Sequence, residues 1–103
     1  MEINKNSGGE IKLKEAQDLI AAFQSIFPEE KKAFFIGSNH VEAILAQDRC
    51  IGVRIYNAYD EDKLTKTVVL VGVDTLGNDM KEGVIVDRTV ICPPHCPTIS
   101  ILD

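Results

Sequence analysis

Between Ile11 and Phe27 the apolar residues Leu13, Ala16, Leu19, Ile20, Phe23, Ile26 and Phe27 recur every three or four positions, which predicts an amphipathic helix. Lys12, Glu15, Gln17, Asp18 and Gln24 fall on its polar side, and Pro28 ends it. The run Ala33-Phe34-Phe35-Ile36-Gly37 predicts a very short strand or a loop whose aromatics plug the core. Asn39, with Glu42 three residues on, has the form of a capping-box start. A second helix is therefore expected from about His40 to Gln47, burying Val41, Ile44 and Leu45.

The period then changes to two. Ile51, Val53 and Ile55 alternate with Gly52, Arg54 and Tyr56, as in a half-buried strand. The stretch from Thr67 to Val73 is apolar on both sides and predicts a central strand, and Gly83 to Val90 supplies a third. The connections Asp60-Glu61-Asp62-Lys63 and Asp74 to Asp79 are short and polar, so the strands should form hairpins, because a parallel crossover needs a dozen or more residues. The expected fold is α+β, with two helices packed on one face of a three-stranded antiparallel β-meander. In one hairpin register Gly52 faces Gly72, Arg54 faces Leu70 and Tyr56 faces Val68. If the helices cover Ile51, Val53, Ile55, Val69, Val71 and Val73, the other face carries Arg54, Tyr56, Val68, Leu70 and Ile85, which is apolar for an outward surface and predicts an interface. The alternative is that the terminal segment Thr98–Leu102, apolar at alternate positions, folds back over it.

At 103 residues and 45% hydrophobic composition, one core accommodates the whole chain, burying roughly 60 to 70% of its unfolded surface. Residues 1–103 are expected to form a single domain, with 1–10 flexible and 91–103 a proline-rich tail. Sixteen acidic against eleven basic residues give a net charge of −5, which opposes nucleic acid, whose phosphates are held by Lys and Arg. The N-terminal residues lack the apolar core of a secretory signal, and no run approaches the roughly 18 apolar residues of a membrane span. A cytoplasmic protein with no membrane partner is expected, and its three cysteines should then be free or metal-bound rather than bridged.

The chemistry concentrates in "VICPPHCPTI", residues 90–99. Proline after each cysteine favours extended backbone, and a fully polyproline II stretch would place the Cys92 and Cys96 Cα atoms about 12 Å apart. A disulfide needs roughly 4.4 to 6.8 Å. A turn across Pro94 and His95, or cis bonds at the prolines, would bring the thiols together and leave His95 at the tip. Zinc would want four ligands, for which Cys92, His95, Cys96 and Cys50 are the candidates. A lone pair at this spacing is a weak metal motif, and a stiff proline-rich terminus is the plainer reading. The loop from Asp74 to Glu82 lacks the alternating oxygen ligands of a calcium site and reads as a turn.

The segments "AILAQDRCIGVRIYNAYDED", "VVLVGVDTLGND" and "CPPHCP" together resemble a group of small bacterial proteins of about this length that carry no assigned activity. The likeness spans roughly residues 10 to 97 and rests on Ala46, Gln47, Gly52, Arg54, Val71, Gly72, Val73, Asp74, Cys92, Pro93, Pro94 and Cys96. It departs at Lys12, where a Ser- or Thr-type helix cap would be expected, and it implies no ligand or reaction. No nucleophile with an identifiable base, P-loop or dinucleotide fingerprint is present. A catalytic cleft near His40, Arg54 and Tyr56 is the weakest possibility. The sequence therefore points to a non-catalytic protein-interaction module, adaptor or immunity-type, binding a protein partner or itself as a homodimer through the sheet face. A metal (zinc) or thiol redox site at Cys92, His95 and Cys96 is the alternative.

Overall fold

Helix α1 (Leu13–Ile26) follows an N-terminal segment that holds a turn, in which the Ser7 N–H donates to the Asn4 carbonyl, and ends at the residues before Pro28. Its start is uncapped: Lys12 occupies the N-cap position with no side-chain hydrogen bond. Strand β1 (Ala33–Phe35), helix α2 (Ser38–Leu45), and strands β2 (Cys50–Asp60), β3 (Thr65–Asp74), β4 (Ile85–Val86) and β5 (Val90–Cys92) follow in order. This is a computed structural model, and it describes residues 2–103.

The architecture is α+β. An antiparallel sheet of order β2-β3-β4 forms the expected meander, and β1 and β5 pair antiparallel in a second, small sheet. The stretch expected as one third strand is split. Its first half, β4, completes the meander, and Arg88, at φ 57°, lies in the segment before β5 crosses to β1. The start of the proline-rich tail is therefore part of a sheet, with Cys92 facing Ala33.

Both hairpin turns are built by aspartates. The Asp60 carboxylate accepts the backbone N–H groups of Asp62 and Lys63, and that of Asp74 accepts those of Leu76 and Asn78. Gly77 supplies the positive φ, +82°, which the second turn requires. The Asp74 loop is thus a turn whose carboxylate serves its own backbone.

The β2–β3 register corrects the expected one. Cys50 faces Asp74, but Gly52 already faces Val73, so a bulge between them takes up one residue. Beyond it Arg54 faces Val71, Ile55 faces Leu70 and Tyr56 faces Val69. A slip of one residue exchanges the two faces of a strand. Val68 and Leu70, expected outside, are buried with Val86 around Ile44 of α2, which is fully inaccessible. Val53, Cys50, Phe34 and Ile36 complete this core.

Helix α2 begins two residues earlier than expected, capped by Gly37 rather than Asn39. Beyond its end, Gln47 donates to the Ile44 carbonyl at 2.9 Å and accepts the Val84 N–H at 2.7 Å, tying the helix to the segment before β4. The room for that side chain comes from two glycines. A Cβ at Gly72 would lie 2.7 Å from Gln47 Nε2, and one at Gly83 would lie 2.0 Å from Gln47 Oε1.

Helix α1 behaves differently. It makes only marginal contact with the other helices and strands, and none of its residues is buried. Leu19 and Ile26 are 66% and 68% exposed. The helix is held at its rim, where Gln17 donates to the Ile101 carbonyl and Phe23 lines a cavity of about 500 Å³ with Phe34 and Tyr59. The terminal segment thus meets α1 rather than the sheet face.

Candidate functional site

The residues singled out by the sequence fall in three places. The first is the loop Cys92–Cys96, where Cys92 and Cys96 form a disulfide with Cα atoms 4.7 Å apart. The chain bends there: the Cys92–Pro93 and Pro93–Pro94 peptide bonds are cis, and the His95 N–H donates to the Ile91 carbonyl at 3.0 Å. The expectation of an extended, stiff terminus with separate thiols is therefore corrected. Cys92 is buried in β5, whereas Cys96 and His95 are exposed. Phe34, Phe35, Val90 and Pro97 line an apolar groove of about 580 Å³ beside the bridge. Cys50 is a free thiol at the head of β2, in the other sheet, with its Sγ 3.2 Å from the Gly52 carbonyl oxygen. The four candidate ligands are thus divided between two sheets. Among the described residues no three His, Cys, Asp or Glu side chains are grouped to hold a metal ion.

The second place is the sheet face opposite α2. Arg54, Tyr56 and Ile85 lie on it, because Arg54 and Ile85 both face Val71 and Tyr56 faces Val69. Val68 and Leu70 do not, for the register reason given above. Asp79, which sequence reasoning left in a plain turn, organises this face. Arg54 Nη1 donates to Asp79 Oδ1 at 2.5 Å, and the Tyr56 hydroxyl donates to Asp79 Oδ2. The hydrogen bond from Tyr56, together with that from Arg54 and its charge, holds the Asp79 carboxyl below the usual carboxylate range. The same bonds to Asp79 raise the Tyr56 phenol and the Arg54 guanidinium. With Val73 bridged to Asp79, the trio fastens the loop after β3 onto β2. Nothing in the sequence signals a partner 25 positions away. His40 is an exposed residue of the first turn of α2 and lines a cavity with Phe35, Ile85 and Arg88, whereas Arg54 lines another with Ile3, Ile55 and Val73.

The third place is the exposed stripe of α1, formed by Leu13, Leu19, Phe23, Ile26 and Phe27. Phe23 and Phe27 pack one turn apart with tilted rings, centroids 5.2 Å, so the stripe has an aromatic end. The sequence shows this amphipathic pattern plainly, but it assigns the stripe to the core.

Comparison with protein families, with curated proteins and with solved structures finds no match. No helix among the described residues is long and apolar enough to cross a membrane.

Proposed function

We propose that this protein is a non-catalytic interaction module that pairs with a second copy of itself through the apolar stripe of α1. The observation that carries the reading is the largely exposed apolar stripe on an amphipathic helix that has no buried residue and only marginal contact with the other helices and strands. A patch of this kind rarely stays uncovered on a monomer. The area argues for a second copy. A folded monomer of 11.4 kDa should expose about 5,800 Å². This chain exposes 8082 Å². The terminal segments account for part of the surplus of about 2,300 Å², and even half of it exceeds the roughly 800 Å² per partner of a standard interface.

Sedimentation at micromolar concentration tests the proposal. Wild type is expected to sediment as a dimer and the Leu19→Glu/Phe23→Glu variant as a folded monomer, since neither residue is buried in the single chain. A wild type that stays monomeric throughout would sink the idea.

The disulfide supports a second reading, a thiol redox site. With Cys92 buried and Cys96 exposed, an incoming thiolate would attack Cys96 Sγ, forming a mixed disulfide and releasing Cys92 as the thiolate. Thiol counting on native protein should find Cys50 alone, rising to three thiols after reduction. Three titratable thiols before reduction would remove this reading. Zinc at Cys92, His95 and Cys96 would require the reduced form, with both sulfurs free as ligands, and elemental analysis of reduced protein checks it.

A further inference from the structure

Lys31, Lys63, Arg88 and His95, with Thr65 and Thr89, line a cavity of about 490 Å³ beside the disulfide loop. The chain as a whole is acidic, yet no carboxylate lines this cavity. Of the acids on the adjoining segments, Asp60 accepts two N–H groups of its own turn, and Glu30 pairs with Lys66 at 2.7 Å. Asp87 approaches Arg88 only to 4.0 Å, with both side chains largely in solvent. Lys31 Nζ lies 3.5 Å from the Pro93 carbonyl oxygen, which ties one cation to the wall formed by Pro93 and Pro94.

We propose that this cavity binds a small organic phosphate. Three permanent cations from three separate segments, with no carboxylate in the lining, favour a ligand carrying more than one negative charge over a simple carboxylate. Arg88 offers the planar fork that suits phosphate oxygens. The volume lies within the roughly 300 to 1,000 Å³ of small-molecule sites and exceeds what a bare phosphate ion needs. The proline wall would receive the ligand's apolar part. This site is independent of self-association, since α1 contributes no residue to it.

Phenyl phosphate is a suitable probe, with binding followed by protein amide shifts at low ionic strength. Saturable binding is expected at residues around Arg88 and His95, tighter than for inorganic phosphate or benzoate. The Lys63→Gln/Arg88→Gln variant should bind about tenfold more weakly or worse, as loss of two charge-assisted contacts implies. Lys5→Gln/Lys12→Gln, which removes the same net charge elsewhere, should bind as wild type does. Absence of saturable binding, benzoate binding as tightly as phenyl phosphate, or equal weakening in both variants would each overturn the proposal.

Discussion

Single side chains decide how the loops are fixed to the sheet. Gln47 reaches the Val84 N–H only because Gly83 and Gly72 leave room for it. A methyl group at Gly83 would displace the Gln47 amide and leave that half-buried hydrogen bond unmade, so Gly83→Ala should cost about 1 kcal/mol. In urea unfolding, Gly83→Ala should cost much less when Gln47→Ala is already present; strict additivity would show that the two do not act together. Asp79 acts at the same scale on the other face. Its folded-state pKa is depressed, so the stability it contributes is present above its unfolded pKa of about 4 and is lost as pH falls through the lower folded value. Tyr56 has the opposite sign, its raised pKa adding stability that is lost as pH rises above about 10. Unfolding of wild type and Asp79→Asn across pH should therefore show the two proteins converging in acid, and a gap that persists in strong acid would contradict the assignment.

Among the elements, the β2–β3 hairpin is governed by one bulge. Because the residue between Cys50 and Gly52 is taken out of the ladder, every later position of β2 faces a partner one residue further along β3 than simple counting gives. Substitution by charge reads this register directly. Leu70→Glu should unfold the protein, since it places a carboxylate beneath Ile44, whereas Ile85→Glu on the opposite, exposed face should change stability by less than about 1 kcal/mol. Circular dichroism of the two variants checks this, and a Leu70→Glu variant as well folded as Ile85→Glu would favour the uncorrected register, which puts both residues on the outward face. The small β1–β5 sheet obeys a different constraint. Two strands alone are marginal, and the Cys92–Cys96 bridge closes the chain immediately after the last pairing, where Lys32 also donates its N–H to the Cys92 carbonyl.

At the scale of the molecule, the chain is spread out: its radius of gyration is 15.3 Å, against about 13 Å for a chain of this size folded on one core. The exposed α1 and the terminal segments both contribute to the excess. If a second copy covers that helix, folding and association are linked, and the melting temperature of wild type should rise with protein concentration. The Leu19→Glu/Phe23→Glu variant should melt at a temperature independent of concentration. Calorimetry over a hundredfold range of concentration distinguishes the two behaviours.

Local physics made much of this legible from sequence. A period of 3.6 located α1 and a period of 2 the β2–β3 hairpin, a cap-like pair placed α2 to within two residues, Asp and Gly marked the turns, and short connections dictated an antiparallel meander. Those signals act between neighbours along the chain, which is why they can be read there. The face each strand buries depends on a one-residue bulge, which shifts pairing without altering composition or period. The pairing of β5 with β1 and the placement of Asp79 between Arg54 and Tyr56 join residues tens of positions apart, so no local pattern announces them. The tail shows the division most clearly. Its prolines limited the geometry to a stiff extension or a bend, and only the folded chain, with β5 anchored beside β1 and the backbone turning at Pro93 and Pro94, brought Cys92 and Cys96 together.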